Sequence, residues 1–320
     1  MVRVTRPLDI PIIESAPTST PRAAFSPDDH CALNTRYLGQ RCSSLGRVGW
    51  YVPRPVTASL VEDLVCGWTA SVEGSHALVP DGCVDVLWTS LGSVWVCGPE
   101  TQGWSFTMAP ETRAVGVRFR PGVIADTLRL DVDELRDRRV LLEDIVGARG
   151  GRELLERLDA AESDDRRLTV LNDMAAQWRC RSAGPDRIVR GLVHALGRRA
   201  WDVRSLADAA ALSERQLHRR CRAAFGYGPA TLRAVLRLQR FMAMARRSTG
   251  GGMAELAQRA GFSDQAHLAR DCRRFAGLTP TALLASEAPH WHGSGAPWWV
   301  APDVRSVQDA RRPRSAGLLP

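Results

Sequence analysis

Arg215, His218, Arg219 and Arg222 recur at three- and four-residue steps near the C-terminus, and Gln265, Ala266, Ala269, Arg270 and Arg273 repeat the arrangement further along. A guanidinium fork donates two parallel hydrogen bonds to guanine or to a phosphate. A glutamine amide pairs bidentately with adenine, and an alanine methyl meets the methyl of thymine. The chemistry these side chains offer is therefore recognition of double-stranded DNA. Arginine-rich helix faces are commonly no more than solvated surface, so the reading depends on what holds these residues.

Each set needs a helix with one apolar and one exposed face. In the first, Leu217, Cys221 and Ala224 share a face opposite the arginines; in the second, Leu268, Cys272 and Phe275 do so. Ser213 is suited to N-cap the first helix, with Gln216 completing a capping box, and Asp264 is suited to cap the second. Gly226 and Gly277 stop them, and Pro229 and Pro280 open the helices that follow. A short helix ending at Ala210 precedes the first, joined by a turn at Ala211-Leu212, and Gly261-Phe262-Ser263 makes a turn one residue longer in the second.

The duplication is internal. Leu206, Ala207 and Ala210 align with Leu256, Ala257 and Ala260; Leu217, Arg219, Cys221, Gly226 and Pro229 align, one residue further on, with Leu268, Arg270, Cys272, Gly277 and Pro280. Two helix-turn-helix units in tandem are a DNA-reading arrangement. Between them Pro229 to Arg247 reads as one amphipathic helix of roughly 28 Å. Such a rod suits two reading helices about 34 Å apart, one turn of B-DNA.

Charge agrees. The net charge is +8, and residues 185–287 hold 18 Arg against 8 acidic residues, while the remainder holds 25 against 27. All basic residues are Arg, which we attribute to genomic composition. The 320 residues suffice for two domains, no apolar run approaches a membrane span, and the prolines at 7 and 11 interrupt any signal-peptide core. A cytoplasmic location is expected. The eight Cys form no C-x-x-C pair and are expected to be reduced and partly buried.

Residues 1–34 read as a disordered arm and 288–320 as a disordered tail carrying Trp291, Trp298 and Trp299. From Tyr37 to Arg120 short alternating runs predict an antiparallel sheet or barrel: Val84, Val86 and Trp88 against Asp85 and Leu87, and Val115, Val117 and Phe119 against Gly116 and Arg118. From Val123 to Arg181 the period turns helical. Ser182 to Pro185 reads as a linker, giving a sensor domain over 35–181 and a DNA-binding domain over 185–287.

At Leu206-Ala207, Leu212-Ser213, Gly226-Tyr227-Gly228-Pro229, Gly261-Phe262-Ser263-Asp264-Gln265 and Gly277-Leu278-Thr279-Pro280 the chain resembles the AraC/XylS family of bacterial transcription regulators. The resemblance implies a seven-helix domain whose base-reading positions fall on Arg215, His218, Arg219, Gln265, Ala266, Ala269 and Arg270. The family's usual Gly before the first cap is Ala211 here. Leu78 to Asp85 and Val115 to Gly122 are similar to a sensor domain attached to this family, implying a cupin-like β-barrel followed by helices.

The expected fold is thus an α+β N-terminal domain joined to an all-α C-terminal domain with two helix-turn-helix units. The expected partners are double-stranded DNA, a small-molecule effector, a second copy of the chain and, for an activator, RNA polymerase. No membrane partner, cofactor, metal or catalysis is expected. A cupin metalloenzyme is disfavoured because only His30 and His76 precede His194. A cysteine alkyl acceptor at Cys83 or Cys97 is disfavoured because no activating His adjoins either. Trp50, Trp68, Trp88, Trp95 and Trp104 read more readily as core than as a pocket lining, and Asp85, Arg118 and Arg120 more readily as surface charge than as ligand contacts.

Overall fold

In a computed structural model of the chain, residues 51–182, 186–197, 202–247 and 252–286 are described. The expected arm at 1–34, the tail at 288–320, and all of the linker but Ser182 lie outside them, as do Trp50 and the side chain of Trp104.

The N-terminal half is built on one six-stranded sheet in the order β1-β2-β5-β3-β4-β6. The strands are β1 (Tyr51–Arg54), β2 (Leu64–Leu78), β3 (Val84–Thr89), β4 (Ser93–Cys97), β5 (Trp104–Phe119) and β6 (Arg139–Leu141), and every pair is antiparallel. The sheet is open among the described residues, which differs from the closed barrel the resemblance implies. Its edge strands are only four and three residues long, and each pairs with one neighbour.

Alternation sorts the two faces as the sequence predicts. Val84, Val86, Trp88, Val115, Val117 and Phe119 are buried in one core with helices α1 (Val123–Leu128), α2 (Leu142–Val146), α3 (Ala148–Asp159) and α4 (Asp164–Arg181). Leu154 and Leu158 of α3 and Leu168, Leu171 and Met174 of α4 supply the facing side chains. Trp88 is core, its indole N–H donating to Asp159 Oδ1 at 2.7 Å and the Arg167 guanidinium lying 4.2 Å over its ring. The helical reading of 123–181 is corrected at two places. A 3-10 turn forms at Val132–Leu135, and β6 follows it. Three residues carry no usable period. Val140 is fixed by burial and by its pairing with Val96, a tertiary effect that local pattern does not register.

The other sheet face carries a polar row set by strand register: Cys66 of β2, Arg118 of β5, Asp85 of β3, Cys97 of β4 and Arg139 of β6 are successive cross-strand partners. Arg118 is buried. Its Nε donates to both Asp85 oxygens at 3.1 and 3.2 Å, and its Nη1 lies 3.1 Å from Asp81. Trp68 and Ala70 pack beside this row with Ala114. Asp85 and Arg118, weighed above as exposed charge, are thus each other's partners; the Arg120 Nε donates to the Val61 carbonyl at 2.9 Å.

The C-terminal half is all helical: α5 (Arg187–Gly197), α6 (Val203–Ala209), α7 (Glu214–Phe225), α8 (Pro229–Arg247), α9 (Met253–Ala260), α10 (Gln265–Ala276) and α11 (Pro280–Ser286). Helix α8 is the spine of two cores. Leu232 and Leu236 pack with Leu206, Leu217, Cys221 and Phe225; Val235, Leu238, Phe241 and Met242 pack with Ala257, Leu268, Cys272 and Phe275. One continuous helix with apolar residues on two sides therefore fixes both helix pairs to each other.

Candidate nucleic-acid interface

Helix α7 begins as its sequence dictates. The Ser213 hydroxyl accepts the Gln216 backbone N–H at 3.2 Å, and the Gln216 side chain accepts the Ser213 N–H at 2.8 Å. It ends at Gly226, whose φ of 75° is left-handed. Leu217, Cys221 and Ala224 are buried, and Arg215, His218, Arg219 and Arg222 are exposed on the opposite side. Helix α10 is built alike. Asp264 caps it by accepting the His267 N–H at 2.6 Å, which together with the Ser263 hydroxyl holds this carboxyl below its ordinary range. Gly277 closes it at φ 69°, Leu268, Cys272 and Phe275 are buried, and Gln265, Ala266, Arg270 and Arg273 are exposed, with Ala269 half-buried.

The turns before the two helices differ at their first residue. Gly261 occupies the left-handed region at φ 100°, and its counterpart Ala211 does so at φ 52°. Left-handed backbone costs an L-residue roughly 1–2 kcal/mol, which exceeds the entropy glycine adds to the unfolded chain. Ala211→Gly is therefore expected to stabilise the protein by about 0.5–1 kcal/mol, read as a rise in the urea midpoint at constant m. A fall in that midpoint would mean that the Ala211 methyl contributes more packing than strain.

The predicted contact residues form two separate exposed faces, one on each side of α8. One of them borders the N-terminal half. A groove of about 530 Å³ separates Arg215, His218, Arg219 and Arg222 from Asp131 and Asp133 of the 3-10 turn. Arg222 is ion-paired to Asp133, which also holds Arg136, and the Arg136 Nη1 donates to the Gly226 carbonyl at 3.1 Å. The halves meet elsewhere too. The Gln239 side chain of α8 donates to the Pro80 carbonyl at 2.8 Å, and Asp126 Oδ2 accepts the Asp186 N–H at 2.9 Å. At Gly226 a Cβ would stand 2.6 Å from Pro99 Cγ, so only glycine serves both the left-handed stop and this close approach. Sequence reasoning did not anticipate Asp131, Asp133 or Arg136; nothing local in the chain signals a contact across 89 residues.

Cys83 and Cys97 are poorly suited to covalent chemistry. Burial pushes the Cys97 thiol up to about 12 and the Cys83 thiol well above 9, so both stay protonated at neutral pH. The described cysteines are all free.

Two capped helices bearing exposed arginine faces on a shared spine define a helix-turn-helix DNA-binding protein. Residues 206–286 match a helix-turn-helix domain family of the AraC type, so the chain carries this DNA-binding domain in its C-terminal half. Residues 51–141 match a family described only as a domain of unknown function (DUF6597). No match was found among curated protein sequences. Among solved structures, ToxT from Vibrio cholerae O395 is similar at 9% identity over 74% of this chain and 98% of its own, with a TM-score of 0.39. Unsaturated fatty acid bound wild-type ToxT from Vibrio cholerae strain SCE256 is similar at 12% identity over 76% and 97%, with a TM-score of 0.37. Among the described residues no helix is long and apolar enough to cross a membrane.

Proposed function

We propose that the protein reads a specific DNA sequence with α7 and α10 in successive major grooves, and that its sheet-bearing half adjusts this binding in response to an effector. The observation that carries the first part is the pair of outward faces, Arg215, His218, Arg219 and Arg222 on one helix and Gln265, Ala266, Ala269, Arg270 and Arg273 on the other, braced by one uninterrupted α8. The N-terminal parts of the two helices meet base edges, and Arg222 and Arg273 reach phosphates. A second copy of the chain and, in activation, RNA polymerase are further partners in this reading.

Support for the second part lies in the loop between β2 and β3. Asp81 ties it to Arg118 on the sheet face, Pro80 accepts from Gln239 of α8, and Gly82 sits against Leu232. A ligand that rearranged the polar row would move the same loop that touches the spine of the DNA-binding half.

The test is selection of duplexes from random sequence by the full chain, followed by a salt titration on a recovered site. Two short half-motifs about one helical turn apart are expected. With about four phosphates neutralised, affinity should fall about a hundredfold between about 50 and 200 mM salt. A flat salt response, or no enriched motif, would remove these faces from DNA.

A further inference from the structure

Nothing in the proposed reading requires the N-terminal half to touch the outward face of α7, yet it does. The 3-10 turn is organised for this contact. Asp131 caps it by accepting the Asp133 N–H at 2.9 Å, and Asp133 is held between Arg136 and Arg222. Arg136 in turn grips the Gly226 carbonyl at the end of α7. Asp131 and Asp133 form the wall facing Arg215, His218, Arg219 and Arg222 across the groove.

A reading helix must sink into a major groove about 8.5 Å deep with the phosphate ridges on either side. The turn stands beside α7 where one such ridge belongs, and Asp133 already takes the guanidinium of Arg222. The second helix differs. Gln265, Ala266, Arg270 and Arg273 are exposed, and among the described residues none of them is ion-paired to the N-terminal half. The N-terminal half approaches α10 at its C-terminal end, where a Cβ on Gly103 would lie 2.8 Å from the Phe275 carbonyl.

We propose that the Asp131–Asp133 turn is an intramolecular stand-in for DNA phosphate. It holds the first reading helix in reserve and leaves the second accessible. The inference rests on the reading of α7 as a DNA-contacting helix. DNA and the turn compete for the same arginines, so full engagement requires the turn to withdraw, and a signal that moves the turn acts directly on α7.

The test compares the full wild-type chain with an Asp131→Asn/Asp133→Asn variant on a fluorescent pool of random-sequence duplexes. Both substitutions keep shape and the Asn cap keeps the turn. The expected result is about three- to tenfold tighter binding by the variant near 50 mM salt, since each exposed ion pair is worth a fraction of a kcal/mol. The gain should shrink as salt screens the intramolecular pair, so the variant also shows the steeper salt dependence. In the wild-type chain, adding the duplex pool should speed amide hydrogen exchange at residues 131–138. Equal affinities and equal salt slopes, with DNA bound by both, would overturn the stand-in and leave DNA reading intact. Weaker binding by the variant would overturn it as well. If neither chain bound the pool at low salt, DNA reading itself would fall, and the stand-in with it. Should the variant not fold, unchanged exchange at 131–138 on saturating DNA would overturn the proposal by itself.

Discussion

Arg118→Met is expected to cost about 3–5 kcal/mol of folding stability, the penalty of leaving buried charge unpaired. Arg118 donates to both oxygens of Asp85 and pairs with Asp81, and the Trp68 indole N–H donates to Asp85 at 2.9 Å. Burial lifts the Asp85 carboxyl above its ordinary value even with Arg118 beside it. Without the guanidinium, Asp85 and Asp81 face each other with no cation between them, and the folded-state carboxyl rises further. The sign follows: a carboxyl raised in the folded state binds its proton more readily there than in the unfolded chain. The variant's deficit should therefore be smallest near pH 4 and grow as pH rises towards neutrality. Urea denaturation at several pH values checks both the size and the slope. Adding Asp85→Asn should recover part of the loss and flatten the pH dependence. A pH-independent deficit would mean that lost packing of the Arg118 stem, and not the stranded carboxylates, sets the cost.

That substitution also bears on the coupling between the halves. Asp81 begins the turn whose Pro80 carbonyl accepts from Gln239, and its Oδ1 accepts the Cys83 N–H at 2.9 Å. The polar row and the spine helix thus share one short loop. An effector acting on the row has a physical route to α8, whereas the acidic turn acts directly on α7. The N-terminal half contacts the DNA-binding half through both.

What could be read from the sequence was what neighbours in the chain decide. Ser213 with Gln216, Asp264, Gly226, Gly277, Pro229 and Pro280 are caps and stops whose partners lie within a few residues, so both reading helices and their exposed faces were legible. Alternation in β3 and β5 sorted the two sheet faces correctly. It could not say what the second face does, because Cys66, Arg118, Asp85, Cys97 and Arg139 become neighbours only through strand register. The strand order and β6 were invisible for the same reason. Asp131 and Asp133 stand in a stretch of balanced charge, with nothing local to mark them. Only the fold sets them against Arg222, which the sequence offered as a DNA contact.

Replacing Arg219 and Arg270 together by Ala is expected to weaken binding to a selected site by about 2–6 kcal/mol, the sum of about 1–3 for each lost base contact. Additivity is expected because the two residues sit on different helices whose buried faces belong to separate cores on α8. Both side chains are exposed, so stability should change by less than about 0.5 kcal/mol, and the loss of affinity is not a loss of fold. The single variants separate two roles that affinity alone merges. Arg219→Ala should relax base preference in one half-motif and Arg270→Ala in the other, each leaving the opposite half-motif intact. Their behaviour with the acidic turn should differ as well. Arg219 lines the groove with Asp131 and Asp133, while Arg270 does not. The Asn substitutions in the turn should therefore change the apparent cost of Arg219→Ala and leave that of Arg270→Ala unchanged. Sequencing of sites selected by each variant is the measurement. Unaltered base preference at both half-motifs would show that these arginines touch only the backbone, and the base readout would then have to come from Arg215, His218, Gln265, Ala266 and Ala269.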